Sequence, residues 1–152
     1  MSGTLDPQEW EPKVWGKTRQ VVNPDSSDAL HLHELVIKPN TYCSVHYHEE
    51  RFNVFRVTSS TTMVRVVWID PAHTVRHADL SMLTNHHRIC VIPPKTVHQF
   101  QVIGGGTMEE DYFCKGGKPP MTEDIVRLSV GGEINLEEYP DWQMQPPRFF
   151  ET

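Results

Sequence analysis

The chain has 152 residues, a net charge of −6 at neutral pH and three widely spaced cysteines. Its length suits one domain that can bury a core without disulfides. The acidic balance and the absence of a basic cluster argue against nucleic acid or an anionic membrane as partners, and no apolar run reaches membrane-spanning length. Three cysteines at these spacings do not form a disulfide framework, so we expect a reducing, cytoplasmic location.

The two ends of the chain differ in composition from its middle. Residues 1–12 are polar and acidic and lack the apolar stretch of a signal peptide. We expect them to form an arm that Trp10 and Trp15 anchor to the body. Residues 13–132 are predicted to form the folded domain. Residues 133–152, rich in proline and aromatic side chains, are predicted to be a tail that packs on this chain's own domain or on a partner's.

The middle of the chain alternates short β-branched or aromatic runs with turn signals, and no stretch has the 3.6-residue period of a helix. The predicted strands are 14–22, 29–38, 42–48, 52–58, 62–70, 74–80, 88–92, 97–102, 107–115 and 124–130. Clusters of proline, asparagine, serine and glycine separate them. About ten short antiparallel strands predict an all-β sandwich or barrel.

Two strands carry polar groups of a kind that binds metals. His46 and His48 are separated by one residue on a predicted strand, so their side chains leave the same face. A short polar turn follows, and the next strand places Asn53 and Phe55 together on one face.

A third histidine lies some fifty residues further along the chain. His98 shares a strand face with Phe100 and Val102, and this apolar face should point inward. If the strands close into a barrel, three imidazoles and the Asn53 amide meet at its mouth. Such a set predicts a divalent-metal site.

These residues resemble the two motifs of the cupin superfamily. The first cupin motif contains His-x-His and then a glutamate, and this chain has His46 and His48 followed by Asn53 at the glutamate position. The second motif, Pro-x-Gly-x-x-His, corresponds to residues 93–98, with Lys95 at the glycine position.

A closer similarity is to the cupin module of type II mannose-6-phosphate isomerases. That module contains Trp-Gly, then Ser-Leu-Gln-x-His-x-x-Arg-x-Glu-x-Trp, then Ile-Pro followed by a histidine, then Asp-Ile-Val-Arg. The corresponding segments here are Trp15-Gly16, Ser44 to Phe55, Ile92-Pro93 with His98, and Asp124-Ile125-Val126-Arg127. The order and spacing hold from residue 15 to about 132. The resemblance implies a double-stranded β-helix, or jelly roll, with a metal in its mouth.

The resemblance also implies a ligand set, namely His46, His48, Asn53 and His98. Histidine in place of the family's glutamine keeps a ligand, whereas Asn53 in place of glutamate removes the only anionic one. Three imidazoles can still hold zinc, iron, nickel, copper or manganese. The alternative is a site that is empty or partly occupied.

Other side chains are candidates for contact with a ligand. Arg51 matches an arginine of the isomerases and would bind a phosphate or carboxylate, or else it is a solvated turn charge. Tyr112, or a carboxyl of the acidic run 109–111, would transfer protons. Arg127 would face the pocket, or else pair with Asp124 or Glu123.

Three further residues are predicted to line the pocket wall, namely Phe55, Phe100 and His33. His33 shares a strand face with apolar residues, and the alternative for it is a packed or hydrogen-bonded core histidine.

Three functions are consistent with this sequence. The first is a metal-dependent isomerase or epimerase that acts on a sugar phosphate or a similar small polar molecule. The second is a three-histidine iron oxygenase. The third is a non-catalytic module that binds a small ligand. Because jelly rolls often pair through edge strands, and because the aromatic tail could cover one, we also expect a homodimer.

Overall fold

A computed structural model describes residues 9–21, 29–83, 85–121, 123–129 and 146–151. In these ranges the chain is almost entirely β-structure, with one short 3-10 turn and no α-helix. No helix among them is long and apolar enough to cross a membrane. Residues 1–8 of the predicted arm and 133–145 of the predicted tail lie outside the described residues.

Thirteen strands occur in the described part of the chain. They are β1 (Glu11–Lys13), β2 (Gly16–Gln20), β3 (Leu30–Ile37), β4 (Thr41–Tyr42), β5 (Val45–Tyr47), β6 (Arg51–Val57), β7 (Met63–Ile69), β8 (Val75–Leu80), β9 (Ile89–Ile92), β10 (His98–Gly104), β11 (Gly106–Cys114), β12 (Val126–Ser129) and β13 (Arg148–Phe150). The 3-10 turn, Lys115–Gly117, follows β11.

The strands form two antiparallel sheets. One has the order β1-β2-β3-β11-β6-β9-β13, and the other has the order β12-β5-β10-β7-β8, with β4 also paired to β10. Strands β1 to β3 and the pair β7–β8 are consecutive in the chain, whereas the other sheet neighbours, such as β11 and β6 or β5 and β10, are distant in sequence. This arrangement confirms the predicted jelly roll.

The core lies between the sheets and follows the alternation of the sequence. The inward faces of β3, β6, β7 and β10 carry apolar side chains that are almost fully buried, among them Leu35, Phe55, Val66 and Phe100. Trp15 joins this core, with its ring 5.3 Å from that of Phe100 in an edge-on contact. Burial of this apolar surface is the main favourable contribution to folding.

The structure differs from the predicted strands at three places. The expected strand 14–22 corresponds to β2 alone, and β1 in the predicted arm pairs with it in a hairpin, with Gly16 at a φ of +148° beside the turn. The expected strand 42–48 is divided into β4 and β5. In the tail, β13 pairs with β9 of its own sheet. That the tail also joins two chains into a homodimer stays a prediction.

We expect Gly16→Ala to destabilise the fold by at least about 2 kcal/mol, because the position combines positive φ with contact to backbone. A Cβ at Gly16 would overlap the carbonyl oxygen of Val36. Gly116→Ala is the matched control, since Gly116 also has positive φ but open space around it, and should cost about 1 kcal/mol. Urea denaturation measures both; equal losses would contradict the role of the Gly16 contact.

Candidate metal centre

Three histidines from distant parts of the chain meet at one end of the barrel. His46 on β5 is the antiparallel partner of His98 on β10, and His48 follows directly after β5. The centroid of the His46 ring lies 4.4 Å from that of His98 and 5.1 Å from that of His48. One ring nitrogen of each residue lies within 4.8 Å of the others, and all three residues are buried. This spacing is within reach of a single divalent ion.

Backbone carbonyls fix the tautomer of each imidazole. Each Nδ1–H donates to a carbonyl oxygen: His46 to Ser44 at 2.8 Å, His48 to Asp124 at 2.6 Å and His98 to Thr96 at 2.8 Å. The three Nε2 atoms therefore carry free lone pairs. That of His48 is buried and has no hydrogen-bond partner in the part of the chain that the structure describes. An unpartnered buried acceptor of this kind fits a metal ligand.

Asn53 on β6 presents its amide oxygen to the same point. Its Nδ2 donates to the carboxylate of Glu110 at 3.4 Å and to the carbonyl of Asp111 at 3.5 Å. Its Oδ1 then lies 3.3 Å from Nε2 of His98. Because Nδ1 of His98 holds the ring proton, two lone pairs face each other, and a cation between them would relieve the repulsion.

The imidazoles are neutral at neutral pH. Burial lowers the pKa of His46 to about 4 and that of His48 to about 3, and it also lowers the pKa of His98 well below its ordinary value. The neighbouring arginines add to the lowering for His46 and His48. Only a neutral imidazole binds a metal, so the site is ready to do so without losing protons.

A cavity of about 730 Å³ opens beside the histidines. The wall includes His46 and five residues that the sequence predicted to contact a ligand: His33, Arg51, Phe100, Tyr112 and Arg127. The remaining predicted wall residue, Phe55, is fully buried and packs behind His98 instead, with the rings 6.2 Å apart. The hairpin of β1 and β2 closes one side of the cavity.

Arg51 is buried, with only 4% of its surface exposed, so the alternative of a solvated turn charge is wrong. Its guanidinium carbon lies 3.9 Å from the centroid of the Tyr112 ring, a cation–π contact. Its Nη2 lies 3.1 Å from Nδ1 of His48. Its Nε is buried and has no hydrogen-bond partner among the described residues. A buried cation with an unused donor at a cavity wall suits an anionic ligand.

Glu110 belongs to the acidic run 109–111, from which the sequence alone did not single out one carboxyl. It lines the cavity, and Tyr112, two positions along β11, lies on the same face. Burial raises the pKa of Glu110, although contacts with Asn53, Arg51 and Tyr112 oppose the rise. Burial and the charge of Glu110 raise the pKa of Tyr112. Alternation from the buried Met108 would have placed Glu110 inward, because these residues are spaced two apart.

The other predicted alternatives have clear outcomes. Arg127 is exposed and lies at the cavity edge on β12, where His46 is its antiparallel partner. The carboxylate of Asp124 accepts hydrogen bonds from backbone N–H groups of residues 49–51.

The imidazole of His33 lines the cavity and also contacts the carbonyl of Glu110 at 3.2 Å, and burial lowers its pKa to about 4. His33 is therefore both a residue of the cavity wall and a hydrogen-bonded histidine, the two alternatives that the sequence offered.

Comparison with known proteins supports the fold class. The sequence matches no protein-family model and no curated protein. The structure is similar to oxalate decarboxylase of Lactobacillus farciminis, with 18% identity over 84% of this chain and 37% of that chain and a TM-score of 0.62. It is also similar to oxalate decarboxylase OxdC of Bacillus subtilis, with 13% identity, coverage of 84% and 33%, and a TM-score of 0.60.

A third similar structure is the capsular polysaccharide assembling protein CapF of Staphylococcus aureus, with 14% identity, coverage of 80% and 34%, and a TM-score of 0.58. The chain spans about a third of the length of these proteins. At such identities the likeness shows the fold alone, which is the cupin fold. The three-histidine group in this fold could hold a divalent metal ion.

His98→Ala should lower zinc affinity more than about 100-fold and leave the fold intact, because it removes one of three converging ligands. His33→Ala is the matched control, since His33 lines the same cavity outside the three-histidine group. Elemental analysis after dialysis, with circular dichroism for the fold, measures the effect. Unchanged metal content in His98→Ala would show that the assigned site is wrong.

Zinc affinity should change less than about twofold between pH 7 and pH 5.5. Three histidines with the ordinary pKa of 6.5 would lose about 600-fold over that range, because protons compete for each ring nitrogen. Burial lowers the pKa values of His46 and His48 to about 4 and 3, so competition begins only at more acidic pH. Chelator competition at fixed ionic strength measures this, and a steep loss above pH 5.5 would contradict the lowered pKa values.

Proposed function

We propose that the protein is a metal-dependent enzyme of the isomerase or epimerase type that acts on a small anionic molecule such as a sugar phosphate. The observation that carries this proposal is the presence of a buried arginine, Arg51, in the cavity that His46 of the three-histidine group also lines. A metal site and an anion-binding cation side by side can hold two ends of one small molecule.

The side chains around the cavity would have two separate roles, metal binding and anion binding. A divalent ion held by His46, His48 and His98, with the amide oxygen of Asn53 near, would supply Lewis acid chemistry at a carbonyl or hydroxyl oxygen. Arg51 would bind the anionic end of the molecule through its free donors, and its stacking on the Tyr112 ring would keep the guanidinium in place.

Glu110 is positioned for proton transfer. Its carboxylate would take a proton from the hydroxyl-bearing carbon next to the carbonyl and return it to the former carbonyl carbon. The hydroxyl proton of the first carbon would pass to the carbonyl oxygen, so that one C–H and one O–H bond are broken and one of each is formed. The conversion is redox-neutral and needs no co-reactant. Burial raises the pKa of this carboxyl, which makes it a stronger base than an exposed carboxylate. The Tyr112 hydroxyl lies within hydrogen-bonding reach and would orient the carboxyl.

A three-histidine iron oxygenase is the second candidate. It is favoured by the ligand set, because the metal-binding group found among the described residues consists of histidines alone, without a carboxylate. Neutral ligands leave the charge of the ion uncompensated and positions open for other molecules.

Proton exchange in D₂O separates these candidates. Protein loaded with Zn²⁺, Mn²⁺ or Fe²⁺ should transfer deuterium to a carbon of mannose 6-phosphate or fructose 6-phosphate, as measured by NMR. Chelation should abolish the exchange, and Arg51→Ala should weaken sugar-phosphate binding about 10- to 100-fold through loss of a charge-assisted contact. Arg56→Ala, on the exposed face of the same strand, is the matched control for Arg51.

Glu110→Gln should stop the exchange without releasing the metal, and Glu109→Gln is its control on the neighbouring position of β11. Oxygen uptake by the Fe²⁺ form without deuterium transfer would favour the oxygenase. Binding of the sugar phosphate with neither reaction would overturn the enzymatic proposal in favour of a binding module.

A further inference from the structure

One residue far along the chain holds the turn between β5 and β6. The carboxylate of Asp124 accepts three consecutive backbone N–H groups, from Glu49 at 2.7 Å, Glu50 at 2.9 Å and Arg51 at 3.0 Å. Hydrogen bonds to a carboxylate are stronger than those between neutral groups. Three of them on one turn fix its backbone, although the turn itself faces solvent.

The same residue also contacts a histidine of the metal centre. The backbone carbonyl of Asp124 accepts the Nδ1–H of His48 at 2.6 Å. Asp124 therefore touches four consecutive residues, 48 to 51. This segment begins with a histidine of the metal centre and ends with Arg51, the buried cation of the cavity.

The position of Asp124 is itself determined by the sheet. A backbone hydrogen bond from its N–H to the carbonyl of Met121 closes a turn before it. Strand β12 starts two residues later and pairs with β5, with Val126 opposite Tyr47 and Arg127 opposite His46. The carboxylate and the carbonyl of Asp124 are thus presented to the turn by the strand beside the histidines.

We propose that Asp124 is a positioning residue that holds His48 and Arg51 in one fixed arrangement and so couples metal binding to anion binding in the cavity. This inference rests on the proposed function, because it assumes a metal at the histidines and an anion at Arg51. Partners that orient metal ligands from behind typically contribute 10- to 100-fold in metal affinity. Here the effect would reach both binding groups through one turn.

The test uses the full chain with Co²⁺ as a visible probe and inorganic phosphate as the anion. Asp124→Asn keeps the size of the side chain and replaces one acceptor oxygen with an NH₂ group, which cannot accept the turn N–H groups. It should bind Co²⁺ about 10- to 100-fold more weakly, shift the visible absorption bands of the bound ion, and lose the response of those bands to phosphate.

Glu50→Gln is the matched control. Glu50 lies on the same turn and its carboxylate contacts Lys118 at 2.7 Å in an exposed ion pair, which contributes little. This variant should leave both the cobalt spectrum and the phosphate response unchanged. If Asp124→Asn fails to fold, Asp124→Ser, which keeps one oxygen acceptor, is measured in the same two ways.

The outcomes separate the two proposals. A lower melting temperature for Asp124→Asn with an unchanged cobalt spectrum, affinity and phosphate response would reduce Asp124 to a purely structural residue and overturn the inference alone. Failure of the unmodified protein to bind Co²⁺ would overturn the metal site and, with it, the positioning role. Cobalt binding without any response to phosphate in the unmodified protein would overturn the coupling.

Discussion

The site depends on the hydrogen bonds between three imidazole Nδ1–H groups and three backbone carbonyls. These bonds determine which ring nitrogen carries the proton and in which direction the other lone pair points. Two of the carbonyls, those of Ser44 and Thr96, lie two residues before the histidine that they orient. The barrel supplies the rest, since the register of β5 against β10 places His46 opposite His98. The antiparallel pairing of the two strands thus determines the distance between these two ligands.

Charge in the cavity is distributed in an unusual way for a site of this kind. The converging donors are neutral, and the half-buried carboxyl of Glu110 on the neighbouring strand accepts a hydrogen bond from the amide of Asn53. The positive charge of Arg51 is buried beside them. An incoming anion would therefore meet a bound cation and a guanidinium, with the carboxyl of Glu110 beside them.

Much of this could be predicted from local pattern. The alternation of apolar side chains gave the strand faces, and the spacing of His46 and His48 with a distant His98 indicated a shared site. What the sequence could not give depends on contacts between distant segments. Burial of Arg51 results from the pairing of β6 with β11, which brings Tyr112 beneath the guanidinium. Asp124 acts on residues more than seventy positions earlier, and no local signal marks such a contact.

The first hairpin of the chain has a consequence for how such a site can change. It forms part of the cavity wall, yet among the described strands it pairs with the rest of its sheet along β3 alone, and Val14 at its tip is 79% exposed. The imidazoles, by contrast, belong mainly to the opposite sheet and its turns. The hairpin side of the cavity wall and the three histidines therefore lie on separate stretches of polypeptide, whereas Arg51 follows His48 on the same turn. Substitutions or loop replacements in the hairpin can therefore change the shape of this side of the cavity without changing the three histidines.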